Sequence, residues 1–305
     1  TADPVPHSFL GSKKRMTNSM NSTPTRAPKE PAAHSEGAYA HPGEIFASCG
    51  NSYVEYRRRH AAVVVAYLTH LGPSQARILD LGCGPGTLAL DLAERGMRIT
   101  GVDASQEMLD EGRTWARQRG VSEAVEWRCA DATTVGQVDG LGTFDGAVIA
   151  DAFHWFDRQR VLMDLDKVVR PGGFVAVVGY RAPETQREWW HPLLVKLREK
   201  HLGAADLAGP NTPYIRPEVG HEAMVRASPF SSVSVLRADY RREYTLDELV
   251  GLQRTFAYSS AATLGEKQEA FEADLRSTLR TVQPSGLFTT TLQAAVIVGR
   301  RPESR

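Results

Sequence analysis

The middle of the chain is constrained most by short apolar segments that alternate with helical patterns. RILDLG ends in glycine and precedes TLALDLAERG, and RITGVD precedes SQEMLDEGRTWARQRG. Three more apolar segments follow, VEWRCAD, FDGAVIA and GGFVAVVG. Strands that alternate with helices of this length predict βαβ units. We therefore expect an α/β fold with a mainly parallel sheet and helices on both of its faces.

The sequence on either side of this region has a different character. Residues 39–71 have apolar residues at helical spacing, which predicts a helix ahead of the first strand. Beyond Tyr180 the regular alternation ends, and two further strands are predicted in SSVSVLRADYRREYT and LFTTTLQAAVIVGRR. The predicted organisation is a tail over 1–37, a core with its N-terminal helix over 38–180, an inserted cap over 181–230 and a C-terminal completion of the sheet over 231–305.

The first 37 residues are rich in Pro, Ser, Thr, Ala and Lys and have no apolar periodicity. This composition predicts a flexible tail. The segment SKKRM resembles an expression-vector remnant, and Met16 or Met20 is a candidate natural start. A neighbouring subunit could hold the tail, so a homo-oligomer formed through it is one hypothesis.

The charge and the cysteine content limit the classes of binding partner and the cellular compartment that we expect for this protein. Lys+Arg and Asp+Glu are both 36, which gives a formal net charge of +0. Proteins that grip nucleic acid usually carry a basic excess, so we expect no nucleic-acid partner. The three cysteines lie far apart without metal-ligand spacing, and no apolar run is long enough to span a membrane. We expect a cytoplasmic protein with no metal and no membrane contact.

The most informative segment is ILDLGCGPGTLALDLAERGMRITGVDAS. Glycines between a strand and a helix allow a tight turn and a close approach of the backbone to a ligand. Asp103 ends the second strand, where a carboxylate can accept hydrogen bonds from two ribose hydroxyls. A dinucleotide pattern would place Gly or Ala where Thr87 stands, and the carboxylate of Asp80 suits an ammonium group better than a pyrophosphate. The residues thus favour a ribose-bearing cationic ligand over NAD.

These residues carry a family resemblance. LDLGCGPGTLALDLA resembles the first motif of the class I S-adenosylmethionine (SAM) dependent methyltransferases, and VDASQEML resembles their second motif. CADA, FDGAVIADAFHWFD and VVRPGGFVAVV follow in family order, with a fourth motif similar to that of trans-aconitate-type methyltransferases. The resemblance implies a Rossmann-like, seven-stranded, mainly parallel sheet whose last strand is antiparallel, together with a helical substrate cap.

The resemblance also implies which residues bind SAM: Asp80, Gly82, Gly84, Asp103, Ala104, Met108, Asp131, Ala132 and Ala150. In this assignment Asp80 faces the methionine ammonium, Asp103 binds the ribose and Asp131 accepts from the adenine amino group. Helix packing is an equal alternative for Met108, and an N-cap is the alternative for Asp131.

ADAFHWFD lies where the fourth strand ends, which in this architecture is the edge that holds the reaction site. Taken alone, a His between aromatics is more often core than catalyst. Its place beside the transferable methyl makes His154 the candidate base, needed if the acceptor loses a proton. Trp155 and Phe156 are interpreted as cavity wall that holds the sulfonium and excludes water.

Acceptor specificity is expected from aromatic and charged residues outside the shared core: Phe46, Tyr53, Tyr56, Arg57, Trp189, Trp190, His191, Tyr214, Phe256 and Tyr258. Trp155, Tyr214 and Tyr258 are the aromatic substrate candidates, although cap packing is the alternative for most such residues. Arg181 is a candidate partner for an acceptor carboxylate, or else a surface charge.

The sequence thus predicts a SAM-dependent methyltransferase acting on a small, partly apolar molecule, a metabolic acid or a secondary metabolite. O-methylation is favoured over C- and N-methylation. A non-catalytic protein that binds SAM or S-adenosylhomocysteine, an NAD-dependent dehydrogenase and a methyltransferase acting on nucleic acid or protein are the alternatives. The acceptor, the attacking atom and the oligomeric state are left open.

Overall fold

A computed structural model describes residues 46, 50–57, 60–138, 140–181, 189–203, 207–210, 212–214 and 217–302. The predicted tail over 1–37 lies outside them, so its state and its contact with a second subunit stay predictions. The domain boundaries given above likewise stay predictions.

Seven strands form a single sheet in the spatial order β3-β2-β1-β4-β5-β7-β6. The strands are β1 Arg77–Leu81, β2 Arg98–Asp103, β3 Val125–Cys129, β4 Phe144–Ala150, β5 Val169–Arg181, β6 Ser232–Thr245 and β7 Leu287–Arg300. The first five pair in parallel, and β7 is antiparallel to both β5 and β6. The predicted mainly parallel sheet with an antiparallel last strand is confirmed.

Ten α-helices surround or flank the sheet in the described part of the chain. They are α1 Gly50–Tyr56, α2 Ala62–Thr69, α3 Thr87–Ala93, α4 Gln106–Gln118, α5 Arg158–Val168, α6 His191–Leu202, α7 His221–Arg226, α8 Leu246–Gln253, α9 Ala261–Leu264 and α10 Gln268–Val282. None of them is long and apolar enough to cross a bilayer.

The local chemistry explains several element ends. Ser105 caps α4 by accepting a hydrogen bond from the Met108 amide at 3.2 Å, and Asp157 caps α5 through the Arg160 amide at 3.1 Å. Thr245 and Glu248 form a reciprocal capping box at the start of α8. Each cap satisfies amide groups that a helix start would otherwise leave unpaired.

The helical pattern predicted over 39–71 gives two helices in the described residues, α1 and α2, and not one. The chain is extended at Ala61, with φ −57° and ψ 134°. His60 stands directly before this break, and its ring nitrogens bond the Tyr180 and Thr87 hydroxyls at 2.6 Å and 3.3 Å. Tertiary hydrogen bonding at the strand ends therefore interrupts a pattern that apolar spacing alone would continue.

The core has a layer on each face of the parallel strands. One cluster packs α2 and α3 against the sheet through residues such as Leu68, Leu90 and Phe174. The second packs α5 against the other face through Phe144, Phe153 and Leu165, and a third, separate cluster joins α6, α8 and α10. The carboxyl ends of β1, β2, β4 and β5 remain as the shared edge on which the functional residues stand.

Candidate active site

The loop between β1 and α3 approaches the end of β2 closely. The Gly82 and Cys83 amides donate to the Val102 carbonyl at 2.8 Å and 3.1 Å, and Gly82 and Gly84 have φ values of +65° and +54°. A methyl group added at Gly82 would lie 2.7 Å from the Ala152 side chain, whereas one added at Gly84 would meet nothing within 4 Å. Gly82 thus closes the loop on the protein, and Gly84 borders open space that a ligand can fill.

Asp103 is held against this loop by two backbone hydrogen bonds. Its Oδ2 accepts from the Gly84 amide at 2.8 Å, and its Oδ1 accepts from the Ser105 amide at 2.9 Å. Burial raises the pKa of Asp103, while these amides act in the opposite direction. Each carboxylate oxygen keeps a second lone pair, so the side chain can still accept from a pair of hydroxyls.

Asp80 is fully buried, and neither of its carboxylate oxygens makes a hydrogen bond of standard distance and angle among the described residues, although the Ala89 backbone amide is near enough to act against the rise of its pKa. Burial, together with the charge of Asp103, raises the pKa of Asp80 to about 7. A buried carboxylate without such a hydrogen bond is costly, so the site favours a cationic group or a donor nearby. Asp80 is absent from the described lining of both cavities below, which favours an indirect interaction with a ligand over direct contact.

A first cavity, the cofactor-side cavity, brings eight predicted cofactor residues together. They are Gly82, Gly84, Asp103, Ala104, Met108, Asp131, Ala132 and Ala150. Met108 lines this cavity but is fully buried. Its side chain can therefore pack in the core and contact a ligand at the same time. Asp131 is exposed and directly precedes the short 3₁₀ segment 132–137.

A second cavity of about 480 Å³, the acceptor-side cavity, lies next to the first. The two share four lining residues, which are Phe46, Tyr53, Asp151 and Trp155. Predicted acceptor residues that line the second cavity are Phe46, Tyr53, Arg57, Trp155, Trp190, His191, Tyr214, Phe256 and Tyr258. Its volume falls within the range of small-molecule sites, roughly 300–1,000 Å³.

Three residues that were predicted to contact the acceptor are not among the described lining residues of the second cavity. Tyr56 packs against Gly251, where an added methyl would lie 2.3 Å from its ring, and is not among the described lining residues. Trp189 is 55% exposed and stacks on Phe288 instead. For Arg181 the structure describes only the backbone, which pairs with Gln293 in β7, so its proposed role stays a prediction.

His154 lies in a single 3₁₀ turn, Phe153–Trp155, directly after β4, and lines the acceptor-side cavity. Its ring centroid is 5.1 Å from that of Trp155 and 6.1 Å from that of Tyr214. Burial, followed by electrostatic interaction with His221 and Arg57, lowers the pKa of His154 to about 4. The imidazole is therefore neutral, and able to accept a proton, throughout the physiological pH range.

Two important residues were not predicted from the sequence. Asp151 lines both cavities and has φ +51°, a left-handed conformation rare outside glycine, while its amide donates to the Val178 carbonyl at 2.9 Å. His60 lines the acceptor-side cavity, and burial lowers its pKa to about 4. The position of Asp151 directly after a buried strand was the available signal, whereas His60 lay in the segment 39–71, which was interpreted only by its helical spacing.

Comparison with known proteins agrees with this geometry. Residues 78–173 match a family model described as a methyltransferase domain. The tRNA 5-carboxymethoxyuridine methyltransferase of Escherichia coli K12 is 32% identical over 117 residues, which are 38% of this chain and 44% of that protein. A SAM-dependent Diels–Alderase, iccD of Talaromyces variabilis, is 30% identical over 131 residues, covering 41% of this chain and 43% of that protein. The chain thus spans about half the length of the curated relatives that it matches.

Solved structures show the same fold. The [4+2]-cyclase SpnF superposes with a TM-score of 0.52 at 17% identity over 86% of this chain and 96% of that one. A protein assigned as a type II methyltransferase from Anaeromyxobacter dehalogenans gives a TM-score of 0.54 at 22% identity, covering 81% of this chain and all of that one. Residues 78–173 therefore match a methyltransferase domain, and the fold around them is that of the SAM-dependent methyltransferase class. SAM is the cofactor that goes with the methyltransferase domain and fold that this chain matches.

The residues present fit that cofactor. Gly84 borders open space, the Asp103 carboxylate is oriented beside it, and Asp80 is a buried carboxylate that makes no hydrogen bond of standard distance and angle among the described residues. These features match a ligand that carries a ribose and positive charge, which is the chemistry of SAM. The eight residues of the cofactor-side cavity are the ones that would hold it.

Proposed function

We propose that this protein transfers the methyl group of SAM to a small, partly apolar organic molecule bound in the acceptor-side cavity. The observation that carries the proposal is the junction of the two cavities, where Asp151 and Trp155 line both. An acceptor in the second cavity would lie beside a cofactor in the first. Such alignment is the main contribution that an enzyme makes when the transferred group is already activated.

When bound, SAM supplies a methyl group activated by attachment to a sulfonium. On the protein side, Asp103 accepts from the ribose hydroxyls and Asp80 balances the charge of the methionine ammonium. Ala104 and Met108 flank the adenine, whose amino group donates to Asp131. Trp155 and Phe46, whose ring centroids are 5.5 Å apart, cover the junction of the cavities and limit access of water.

His154 accepts the proton that an acceptor hydroxyl loses as its oxygen forms the new bond to carbon. A base with a pKa of about 4 is weak, but an oxygen that is being alkylated becomes strongly acidic. A neutral imidazole therefore suffices, because the proton leaves during or after bond formation. This role favours O-methylation over C- and N-methylation.

A small acceptor fits the site better than a polynucleotide. The chain has a formal net charge of +0, and the acceptor-side cavity is lined mainly by aromatic side chains. Proteins that bind a phosphate backbone need many basic contacts on an open surface. The E. coli relative acts, by its name, on a tRNA nucleoside, so tRNA belongs in the test as a competing acceptor.

The first experiment is a calorimetric titration with S-adenosylhomocysteine, with NADH as the control. We expect binding of S-adenosylhomocysteine alone. Transfer of labelled methyl from SAM is then measured with a panel of small organic acids, phenols and amines and with tRNA that carries 5-carboxymethoxyuridine. Label in a small molecule supports the proposal, whereas label in tRNA alone overturns it. Binding without transfer to any acceptor would instead identify a non-catalytic protein of this fold.

A further inference from the structure

The acceptor-side cavity contains an unusual arrangement of stacked rings and guanidinium groups. The rings of Phe256 and Tyr258 are nearly parallel, with centroids 4.9 Å apart and an interplanar angle of 16°. The Arg57 guanidinium carbon lies 4.5 Å from the Phe256 centroid, and that of Arg198 lies 4.4 Å from the Tyr258 centroid. One guanidinium thus stacks on each ring of the pair.

Arg57 has no carboxylate partner among the described residues. Its Nε donates to the Thr255 hydroxyl at 3.0 Å, and its guanidinium carbon lies 5.2 Å from the Tyr53 centroid and 4.5 Å from the Phe256 centroid. Burial acts to lower the pKa of Arg57, but Tyr53 and Asp151 raise it further than burial lowers it, so the group is charged. Asp151 is thus close enough to attract the Arg57 guanidinium but forms no ion pair with it within 4 Å, so a ligand that supplies an anion would stabilise this buried charge further.

The rest of the cavity has the same sign of charge. Arg242 enters from β6 with its guanidinium carbon 5.7 Å from the Tyr240 centroid and 5.8 Å from the Tyr244 centroid. The described charged residues of the lining are therefore Arg57, Arg198 and Arg242 against the single carboxylate of Asp151. Burial raises the pKa of Asp151, while the charge of Arg57 acts in the opposite direction. His60 and His154 are neutral, so the cavity is basic at neutral pH.

Two buried polar atoms of the same lining have no partner in the described part of the chain. They are the indole nitrogen of Trp190 and the amide oxygen of Gln253, both on residues that are 5% exposed or less. One donates and the other accepts, so together they suit a second, uncharged polar group on the ligand. Neither lysine nor glycine occurs in the described lining, although these residues are common in phosphate sites.

We propose that the acceptor is a small organic carboxylate with a flat, apolar body, held at its carboxylate by the Arg57 and Arg242 side chains. The guanidinium fork matches the planar carboxylate and can bind it through two parallel hydrogen bonds. The ring pair and the other aromatics cover the apolar body. This inference rests on the proposed function, since it names the class of molecule that occupies the acceptor-side cavity.

The test uses the full chain saturated with S-adenosylhomocysteine. Benzoate, salicylate, 4-hydroxycinnamate and indole-3-acetate are titrated beside the primary amide of each acid, which keeps the shape and removes the charge. We expect at least one acid to bind, at least tenfold more tightly than its amide and less tightly at high salt. Equal binding of an acid and its amide, or binding of neither in all four pairs, overturns the inference.

Two variants and a matched control locate the effect. R57Q and R242Q should each reduce the preference for acid over amide at least threefold, whereas R241Q should leave it unchanged. Arg241 is adjacent to Arg242 in β6 but exposed, since neighbouring strand residues point to opposite faces. R242Q keeps the test decisive if R57Q does not fold. An equal effect of R241Q would mean that general surface charge, and not the cavity, selects the acid.

Failure of this inference can be told apart from failure of the proposed function. If S-adenosylhomocysteine does not bind to the wild-type protein, the proposed function fails before any acid is added. If it binds and the acids show no advantage over their amides, only the choice of a carboxylate is wrong.

Discussion

The two cavities of this protein have opposite charge. The cofactor-side cavity is lined in its described part by Asp103, Asp131 and Asp151 and by no lysine or arginine. The acceptor-side cavity next to it has three arginines and shares only Asp151. A sulfonium compound with an ammonium group suits the first, and an anion suits the second. In the proposed reaction, the charge of each cavity therefore favours binding of its own ligand and disfavours binding of the other, independently of the shape of either ligand.

The first prediction is that a substitution on the acceptor side reduces turnover without weakening cofactor binding. His154→Ala should lower turnover by about 10²–10⁴-fold, as is usual for loss of a general base. The affinity for S-adenosylhomocysteine should stay within a few-fold, because His154 lines only the acceptor-side cavity. Steady-state rates and calorimetry measure the two quantities.

His221→Ala is the control for this substitution. The His221 ring lies 6.5 Å from that of His154 but is not in the described lining of either cavity. It should therefore keep most of the turnover. If His154→Ala weakened binding of S-adenosylhomocysteine as much as it lowered turnover, the residue would be structural and the separation of the cavities would be lost.

The second effect tests the cofactor side in the same way. Asp103→Ala should weaken binding of S-adenosylhomocysteine by about 1.5–3 kcal/mol, as expected for loss of hydrogen bonds to a charged group. Binding of an acid probe at the acceptor side should change far less, because Asp103 lines only the cofactor-side cavity.

Asp110→Ala provides the matched control for Asp103→Ala. Asp110 is exposed on α4, where it pairs with Gln106 and Arg113 and lines neither cavity. Its removal should leave the affinity for S-adenosylhomocysteine unchanged. An Asp103→Ala variant with wild-type affinity would show that the ribose is bound elsewhere.

The same contrast explains how much could be predicted from the sequence. The cofactor side is built from consecutive βα units, so Gly82, Gly84 and Asp103 stand at fixed spacings that a single sequence displays. The structure brings these residues together with Ala104, Asp131 and Ala150 around one cavity, and their contacts with the cofactor stay predictions implied by the family resemblance. Residues that follow successive strands of a parallel sheet meet at one edge of that sheet, so their spacing in the sequence predicts their proximity in the structure.

The acceptor side draws on segments that are far apart in the chain. Arg57 and Phe256 meet although almost 200 residues separate them, and Arg242 reaches the cavity from a strand whose sequence gives no sign of it. Aromatic density indicated the region but not the individual roles, so Tyr56 and Trp189 were included although the described cavity lining lacks both. The direction of an isolated side chain depends on tertiary packing, which one sequence does not show.

The third effect uses pH to test the charge of the cofactor side. Burial and the charge of Asp103 raise the pKa of Asp80 to about 7, so ligand-free Asp80 is mostly protonated at pH 6 and mostly ionised at pH 8. Binding of an ammonium group favours the ionised form. The affinity for S-adenosylhomocysteine should therefore rise about tenfold between pH 6 and pH 8, which corresponds to about 1.4 kcal/mol.

Asp80→Asn removes the titrating group and should flatten this dependence. Of the acceptor-side histidines, His60 and His154 have pKa values lowered to about 4 and so stay neutral across this pH interval. The stability of the ligand-free protein should change with pH in the opposite direction to the affinity for S-adenosylhomocysteine. A raised carboxyl pKa stabilises the folded protein at low pH, and this contribution is lost as the pH rises through about 7. A wild-type affinity that did not change from pH 6 to pH 8 would contradict the proposed role of Asp80.

The smallest effect concerns the hydrogen-bonded wall of the acceptor side. The Tyr180 hydroxyl lies 2.6 Å from His60 Nδ1, and burial, followed by the charge of Asp151, raises the pKa of Tyr180, so the phenol stays protonated. Tyr180→Phe removes this hydrogen bond and should lower the free energy of unfolding by about 1 kcal/mol. Denaturant titration measures the change.

Tyr180→Phe also tests whether the two cavities are independent. His60 contacts the hydroxyl of Thr87, the first residue of the helix that follows the glycine loop. If the two cavities are independent, Tyr180→Phe leaves the affinity for S-adenosylhomocysteine within twofold. A larger loss of affinity would show that the His60 pair transmits the state of the acceptor side to the cofactor loop. The cavities would then act as one coupled site, in spite of their opposite charges.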